Sequence, residues 1–303
     1  MDKILISGGN GFLGKYFVSF WNKKGFNTHS LGRDKSNSVV CNLADNVPNL
    51  KDKYKYAIHC SGKAHVVPKT QNEIDLFNKV NYIGTKNFLK GLELLEELPK
   101  AIILVSSVSV YGLEKGNFIK EDRPLLAKDP YGRSKILAEE CFLSWIKSKD
   151  INATIIRLPL IVGENAPGNL HAMINGIKSG KYANLCGGKA KKSMVLAKDI
   201  AGFSPVLFEN SGIYNLTDGN HPSFKELSTT ISKKYSKKTV LNLIKPIAVS
   251  LALFGELFEK LLGKEFPLNL RKFSKMTKNL TFDDSKAKGI GWNPQNILSF
   301  EDW

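Results

Sequence analysis

Two short segments of this sequence carry side chains whose types and spacing suit proton transfer. Tyr131 and Lys135 stand four residues apart, so on a helix they lie on one face, one turn apart. A phenol titrates near pH ~10 and a nearby ammonium favours its anion, so Tyr131 could donate and accept a proton near neutral pH. Ser107 ends an apolar segment and could hydrogen-bond the same substrate oxygen. Because a Tyr-x-x-x-Lys motif alone is weak, its meaning depends on the elements that position it.

The N-terminal segment supplies that context. An apolar run at 4–6 ends in Gly8-x-x-Gly11-x-x-Gly14, and apolar residues at helical spacing follow. A strand, a glycine turn and a helix form the setting of a dinucleotide site, because glycines let the backbone approach a pyrophosphate that binds the amides of the helix N-terminus. A glycine-rich turn is often only a turn. Its place directly after a buried type of strand favours cofactor binding.

Short apolar runs alternate with helical segments along the first half of the chain. The predicted strands are 4–6, 28–31, 56–60, 101–105 and 153–158. The predicted helices include 73–98 and 131–149. This alternation predicts an α/β fold with a doubly wound parallel sheet. From about residue 160, glycines and prolines interrupt the pattern. We therefore expect a dinucleotide-binding domain at 1–160 with return segments at about 190–218, and a small, discontinuous, mainly substrate-binding C-terminal lobe at 161–303.

Length and composition narrow the class of protein. With 303 residues and 42% hydrophobic content, the chain can bury a full core. The first strand follows Met1 almost directly, so no secretory signal is expected. The cysteines are widely spaced, without a Cys-x-x-Cys pair: Cys41, Cys60, Cys141 and Cys186. This spacing predicts reduced thiols in the cytoplasm and no zinc site. His59, Cys60 and His65 look superficially like ligands, but beside an apolar run we expect them to be packed and expect no metal.

The charge is strongly positive, with 44 basic and 28 acidic residues and a formal net charge of +16. Eleven Lys and Arg but three Glu fall between residues 231 and 280. No nucleic-acid-binding motif accompanies this excess, so nucleic acid is not expected as a partner. A phosphorylated ligand, an anionic membrane surface and a merely solvated lysine-rich surface remain open, the last being the simplest.

The apolar stretch 247–262 lies within this basic region. Its residues recur at helical spacing but include charges, so it predicts an amphipathic helix too short and too charged to span a bilayer. Packing of its apolar face on the lobe is the simpler expectation. The alternative is peripheral contact with a membrane surface through 233–278, at the inner face of the membrane of a cytoplasmic protein.

Several motifs in this order resemble those of extended short-chain dehydrogenase/reductases, and more narrowly of the nucleotide-sugar epimerase/dehydratase group. They are the glycine turn, Ser106-Ser107-Val-Ser-Val-Tyr111-Gly112, Asn81-Tyr-Ile-Gly84-Thr85, Asp129-Pro-Tyr-Gly-Arg-Ser-Lys135, Arg157-x-Pro159-x-x-x-Gly163, Gly168-Asn169-Leu170 and Phe282-Asp283-Asp284-Ser285-Lys286-Ala287. The resemblance covers nearly the whole chain. It implies a Rossmann-type fold, a pyridine nucleotide, a sugar-nucleotide substrate and a homodimer.

The resemblance also implies residue roles. Tyr131 would be the acid/base at a sugar hydroxyl or ketone, Lys135 would hold the nicotinamide ribose and lower the Tyr131 pKa, and Ser107 would orient the reacting oxygen. The residues implied to contact the cofactor are Gly8, Asn10, Gly11, Phe12, Leu13, Gly14, Arg33, Asn42, Leu43, Ser61, Asn81, Tyr131, Lys135 and Pro159. Those implied to contact the substrate are Ser107, Ser109, Asn169, Leu170 and Lys192. For Asn81 a buried structural amide, and for Lys192 an ordinary surface lysine, are equally open.

The residues after Ser107 restrict the reaction. Dehydratases of this group need a carboxylic acid and a carboxylate there, whereas this chain has Val108 and Ser109, so dehydration is not expected. NAD-using relatives end the second strand with an Asp that binds the adenosine ribose. Here Gly32 and Arg33 stand at that place, which favours NADP(H), although NAD remains open if Asp34 substitutes one residue later.

An exchangeable NADPH favours a reductase. We therefore predict reduction of the 4-ketone of a UDP-linked (6-deoxy-)N-acetylhexosamine in bacterial surface polysaccharide synthesis. The alternative is an NAD-dependent 4-epimerase of an N-acetylhexosamine on UDP or polyprenyl diphosphate. A non-catalytic cofactor sensor is more remote, because such proteins tend to lose the Tyr/Lys pair that this chain keeps.

Overall fold

A computed structural model describes residues 1–64, 66–235, 240–263 and 266–301. The strands are β1 Lys3–Ser7, β2 Asn27–Gly32, β3 Val39–Val40, β4 Tyr56–His59, β5 Ala101–Ser107, β6 Gly116–Ile119, β7 Asn152–Leu158, β8 Leu160–Val162, β9 Ala183–Leu185, β10 Met194–Leu196, β11 Gly212–Asn215, β12 Leu241–Leu243 and β13 Leu280–Phe282. The helices are α1 Phe12–Lys23, α2 Gln71–Phe77, α3 Gly84–Glu93, α4 Pro130–Ile146, α5 Asn169–Lys178, α6 Ala197–Glu209, α7 Phe224–Lys234, α8 Lys245–Leu262, α9 Leu270–Thr277 and α10 Ser285–Lys288. His65 and the basic residues Lys237, Lys238 and Lys264 lie outside the described residues.

Seven parallel strands form the central sheet in the order β3-β2-β1-β4-β5-β7-β11. Ile4 of β1 pairs with Thr28 on one side and with Tyr56 on the other. The chain builds outward from β1 in both directions, so the strand order reverses between β1 and β4. Loops at the carboxyl ends of these two strands border a crevice of the kind that binds ligands in doubly wound sheets. The predicted α/β, Rossmann-type fold is confirmed.

Alternation along β1 assigns its side chains to two cores. Ile4 and Ile6 pack with Phe17 and Trp21 of α1 on one face of the sheet. Leu5 packs on the other face with Phe88 of α3 and with α4. Successive strand residues point to opposite faces, so this three-residue apolar run serves both layers. Burying each such side chain stabilises the fold by roughly 1.5–3 kcal/mol, and together they fix the crevice edge.

The prediction of one continuous helix over 73–98 is wrong, because the helical region is interrupted and ends before residue 98. Two α-helices, α2 and α3, flank a π-helical segment at Asn78–Ile83, and α3 ends at Glu93. Asn81 lies in that π-helical segment and is hydrogen-bonded to two other parts of the chain. Single π-helical turns inside helices often mark functional sites, and this one lies beside Lys135.

Outside the main sheet the chain builds smaller units, mostly from residues after β7. Three parallel pairs, β8–β10, β9–β12 and β6–β13, stand beside the main sheet. A separate core contains Leu170 and Ile174 of α5 and Leu227 and Ile231 of α7. The predicted division into a domain at 1–160 and a lobe at 161–303 stays a prediction.

Helix α8 departs from the simpler expectation for 247–262. Leu253, Leu257 and Leu261 are 53%, 55% and 71% exposed, so these large apolar side chains do not pack on the lobe. Phe254 and Phe258 contact the ring of Phe266, although Phe254 stays 56% exposed. Within the part of the chain that the structure describes, no helix is long and apolar enough to cross a membrane.

Candidate active site

Ser107, Tyr131 and Lys135 come together at the carboxyl end of β5. Ser107 is the last residue of that strand, and Tyr131 is the second residue of α4. Asp129 caps α4 by accepting a 3.0 Å hydrogen bond from the Gly132 amide. Pro130 occupies the first helical position, where its missing N–H costs nothing. These local signals start the helix so that Tyr131 faces the end of β5.

Burial dominates the electrostatics of Tyr131. It raises the pKa of the phenol, while a hydrogen bond with the Ser107 hydroxyl lowers it and the nearby Asp129 charge raises it. The net pKa lies above its usual value, opposite to the lowering expected from Lys135. In the structure Tyr131 is therefore a neutral phenol near pH 7, suited to donating a proton to an oxygen held beside Ser107.

Lys135 is buried in the wall of this cluster. Its Nζ donates a 2.9 Å hydrogen bond to the Val105 carbonyl. Burial lowers the pKa of this lysine, and the Cys60 and Glu139 charges oppose that effect. A Cβ placed on Gly62 would lie 3.3 Å from the Lys135 Nζ, so the loop after β4 approaches the ammonium closely. The lysine is thus held where this loop, β5 and α4 meet.

A buried ionic network lies one helical turn beyond Lys135. Glu139 accepts hydrogen bonds from Arg157 Nη2 at 2.7 Å and from the Ser106 hydroxyl. Arg157 Nη1 donates to Tyr111 Oη at 3.1 Å, and that hydroxyl donates to Asn215 at 2.8 Å. The network ties α4 to β5, β7 and β11. Glu139 was not among the predicted site residues, although its place four residues after Lys135 puts it on the same helix face.

The glycine turn is packed so closely that side chains on Gly8 or Gly14 would clash with neighbouring backbone. Gly8 has φ +70°, and a Cβ on it would lie 2.9 Å from the backbone nitrogen of Ser61. A Cβ on Gly14 would lie 2.0 Å from the Gly8 carbonyl oxygen, which no substitution tolerates. Gly11 precedes α1 and provides no side-chain cap, so the helix begins with its backbone amides as donors. This cradle, followed by Phe12 and Leu13, fits a dinucleotide pyrophosphate.

The end of β2 forms the second border of the crevice. A Cβ on Gly32 would lie 3.0 Å from Asn37 Nδ2, so the Asn37 amide takes the place of a side chain there. The Asp34 carboxylate accepts hydrogen bonds from the Ser36 amide at 2.8 Å and from its hydroxyl at 2.5 Å. The Ser36 hydroxyl also accepts from Asn10 Nδ2 at 2.8 Å. Asp34 is thus engaged in its own turn, while Arg33 is exposed beside the crevice.

The buried amide of Asn81 is hydrogen-bonded within the chain, and its predicted contact with the cofactor stays a prediction. Its Oδ1 accepts from the Lys63 amide at 2.7 Å. Its Nδ2 donates to the Lys63 carbonyl at 3.1 Å and to the Ser134 hydroxyl at 2.8 Å. Both amide hydrogens are used, so Asn81 positions the loop after β4 against α4.

The remaining residues predicted to contact the cofactor divide into two groups. Ser61 follows β4 and Pro159 follows β7, so both lie at the carboxyl edge of the sheet. Leu43 is buried in a core, while its carbonyl accepts from Asn87 at 2.8 Å, and Asn42 is hydrogen-bonded to Asp45. Leu43 therefore acts through packing and its backbone.

His59 is a packed core residue. Its ring nitrogens lie 2.6 Å from the Ser7 hydroxyl and 3.0 Å from the Thr85 hydroxyl. Burial lowers the pKa of His59 to about 3, with a smaller contribution from Lys135, so the ring is neutral. Among the residues that the structure describes, no group of three or more His, Cys, Asp or Glu is placed to hold a metal.

The predicted substrate residues come from the end of β5 and from the C-terminal lobe. Leu170 is 2% exposed and belongs to the lobe core, so its side chain is not available to a ligand. Asn169 is exposed at the start of α5, and Ser109 donates its amide to the Ser107 hydroxyl at 3.2 Å. Burial and the Lys275 charge lower the pKa of Lys192 to about 8, while Glu114 opposes them. Lys275, on α9, is one of the eleven basic residues counted between 231 and 280, but its distance in sequence from Lys192 hides their proximity in space.

Comparison with known proteins identifies the family. The model of the NAD dependent epimerase/dehydratase family matches residues 4–216, which include the glycine turn, Ser107, Tyr131 and Lys135. The chain belongs to this family. As an epimerase/dehydratase family member, it is an NAD(P)-dependent enzyme of the short-chain dehydrogenase/reductase type.

Individual relatives span most of the chain. An N-acetyl-alpha-D-glucosaminyl-diphospho-ditrans,octacis-undecaprenol 4-epimerase of Escherichia coli O157:H7 is 27% identical over 98% of this chain and 92% of its own length. A sterol-4-alpha-carboxylate 3-dehydrogenase, decarboxylating, of Dictyostelium discoideum is 27% identical over 95% of this chain and 94% of its own. The structure of the UDP-N-acetylglucosamine 4-epimerase from Bacillus cereus has a TM-score of 0.74 at 20% identity, covering 100% of this chain and 94% of that one. This family member is thus similar in sequence to an epimerase over 98% of its length and to a dehydrogenase over 95%.

Proposed function

We propose that this enzyme epimerises C4 of an N-acetylhexosamine carried on polyprenyl diphosphate, at the cytoplasmic face of a membrane, in bacterial surface polysaccharide synthesis. The near full-length likeness to the E. coli undecaprenol-linked 4-epimerase carries this proposal. The site agrees with it: Ser107, Tyr131 and Lys135 are together, and Val108 and Ser109 provide no acid/base pair for dehydration. Reduction of a 4-ketone, predicted from the sequence, has no specific support from the comparisons.

The residues of the chain divide the work of this reaction. Ser107 and Tyr131 hold the C4 oxygen of the sugar, and Tyr131 exchanges the proton of that oxygen as C4 is oxidised and reduced again. Lys135, anchored on Val105 and one turn from Tyr131, holds the nicotinamide ribose. The dinucleotide, when bound, supplies the hydride acceptor and donor. Lys192 and Lys275 provide positive charge for the diphosphate while the sugar presents either face.

For the cofactor we propose NADP(H), which an epimerase would keep bound and return to its oxidised form in each turnover, with NAD as the alternative. Arg33 is exposed at the end of β2, and the place of a ribose-binding carboxylate is taken by Gly32 and Asn37. Asp34 is engaged with Ser36, so it is poorly placed to substitute for that carboxylate. A guanidinium there suits a 2′-phosphate. This observation also supports a second candidate, the NADPH-dependent 4-ketoreductase. The homodimer stays a prediction.

A carrier comparison tests the proposed function. Purified enzyme with oxidised dinucleotide receives N-acetylglucosamine on a short polyprenyl diphosphate or on UDP, and the released sugars are separated by chromatography. We expect the C4 epimer, with the larger kcat/KM on the lipid carrier. No epimer from either substrate, with NADPH consumed by a UDP-4-keto-6-deoxy-N-acetylhexosamine, would establish the reductase instead.

From the pKa of Lys192 we predict that kcat/KM depends on pH. Its pKa of about 8 means that the free enzyme loses this charge as pH rises through that value. A charged hydrogen bond contributes roughly 1.5–3 kcal/mol, so kcat/KM for the diphosphate substrate should fall about tenfold or more above this pH. The Lys192→Arg variant stays charged and should lose the decline. A decline of equal size in that variant would remove Lys192 from the diphosphate subsite.

A further inference from the structure

Helix α8 exposes most of its large apolar side chains, while Phe258 is half-buried against Phe266. Residues on its inner side are small and buried: Ala248, Ala252 and Gly255. Its outer side carries exposed apolar residues at helical spacing: Ile247 49%, Leu251 38%, Leu253 53%, Phe254 56%, Leu257 55%, Leu261 71% and Leu262 58%. Ordinary surface helices place the apolar face inward, so this polarity is reversed. A contiguous exposed apolar face of this kind marks an interaction surface.

Contacts with the segment leading into α9 fix this orientation. A Cβ on Gly255 would lie 1.9 Å from the Leu268 carbonyl oxygen, so the two backbones touch. The Glu259 carboxylate accepts from the Phe266 amide at 2.8 Å and from Asn269 Nδ2 at 2.9 Å. Glu256 accepts from the Leu270 amide at 3.3 Å. Both carboxylates of α8 are thereby directed to the α9 side, and the outer face is left without acidic groups.

Basic residues lie on α8 and on the adjoining segment of α9, and together they form what we call the basic rim. Lys245 and Lys260 lie on α8, and Arg271, Lys275 and Lys278 lie on α9 or directly after it, all five exposed. The acidic residues of 240–263 and 266–280 are Glu256 and Glu259, which are engaged as described. A second copy seated here would bring two basic rims together without acidic partners, which is unfavourable. An anionic surface complements the rim.

We propose that α8 lies in the plane of an anionic lipid bilayer, with its apolar face among the acyl chains and its basic rim on the headgroups. Helices that combine a large apolar face with a basic border bind membranes in this way. Spanning is excluded by the same charges and length that make α8 suitable for the interface.

The docked helix would also orient the active site, an extension that rests on the proposed function. Helix α9 follows α8 and carries Lys275, whose charge acts on Lys192. Lys192 in turn lies beside Leu280 of β13 through a backbone bridge. The segment that meets the bilayer therefore continues into α9, which carries Lys275, and into β13, which lies beside Lys192. A lipid-linked substrate could reach the site without leaving the bilayer.

Vesicle flotation tests the docking surface independently of catalysis. Wild-type protein is floated with vesicles of phosphatidylcholine alone and of an equimolar mixture with phosphatidylglycerol. We expect binding to the mixed vesicles, weakened by salt. Leu257→Glu should reduce the partition coefficient at least about tenfold, because a buried leucine contributes roughly 1.5–3 kcal/mol. The matched control, Leu126→Glu, changes a residue of similar exposure, 60%, outside α8 and α9 and should bind as wild type does.

The other outcomes would overturn the proposal. Failure of the wild type to float with mixed vesicles, or equal losses in both variants, would remove the bilayer as the occupant. A fall in solution mass for Leu257→Glu, with vesicle binding unchanged, would assign the face to a second copy. Thermal unfolding establishes that both variants fold. Epimerase activity on a short-chain substrate, unchanged in Leu257→Glu, separates loss of docking from failure of the proposed function.

Discussion

Replacing Tyr131 with Phe should reduce kcat by at least about 10²–10⁴-fold, because the site then has no group to exchange the proton of the C4 oxygen. The aromatic ring keeps its contact with Phe77, so the fold should be unaffected. Steady-state kinetics with the sugar substrate measure the loss, and dinucleotide fluorescence establishes that the cofactor still binds.

A comparison with Ser107→Ala sharpens this test. Ser107 orients the oxygen and hydrogen-bonds the phenol but does not carry the proton, so its loss should be smaller. If Tyr131→Phe keeps kcat within a few-fold of wild type, proton transfer belongs to another group and the assignment of Tyr131 is wrong.

Replacing Glu139 with Gln should produce the largest loss of stability. Glu139 and Arg157 are 1% and 3% exposed and are joined at 2.7 Å, so removing one charge leaves the other buried without its partner. Such a change typically costs about 3–5 kcal/mol in the free energy of unfolding. Urea unfolding followed by circular dichroism measures it through the shift of the midpoint at constant slope.

Two control variants define the cause of that loss. Glu97→Gln breaks the ion pair between Glu97 and Lys53, whose side chains are 64% and 74% exposed, respectively. Because solvent screens these charges, this variant should change the free energy of unfolding little. Replacing both Glu139 and Arg157 by Met removes both buried charges and should recover part of the loss. Equal midpoints for Glu139→Gln and Glu97→Gln would contradict the role assigned to the buried network.

Local sequence signals were sufficient for the fold and for the catalytic cluster. The apolar run of β1, the glycines that no other residue could replace and the Asp129-Pro130 helix start all act over a few residues, so they are visible in the sequence. Interactions between residues that are far apart in the sequence could not be predicted. The Glu139–Arg157 network, the Lys192–Lys275 pair and the internal bonds of Asn81 join residues that only the folded chain brings together.

The polarity of α8 was the other feature beyond sequence reasoning. Helical spacing identifies an apolar face but not its direction, and the small residues Ala248, Ala252 and Gly255 are weak evidence for the buried side. Contact of Gly255 with Leu268 decides the direction. The predicted lowering of the Tyr131 pKa was wrong for a similar reason. The sequence indicates a nearby lysine but not the burial of the phenol, which raises its pKa.

A deuterium label at C4 of the sugar tests the proposed epimerisation most directly. The substrate is labelled N-acetylglucosamine on a short polyprenyl diphosphate, and the enzyme receives oxidised dinucleotide in catalytic amount only. We predict that the C4 epimer forms over many turnovers and that mass spectrometry finds the label still at C4. Product that forms only when NADPH is added, with C4 hydrogen derived from NADPH, would contradict epimerisation and identify the enzyme as a ketoreductase.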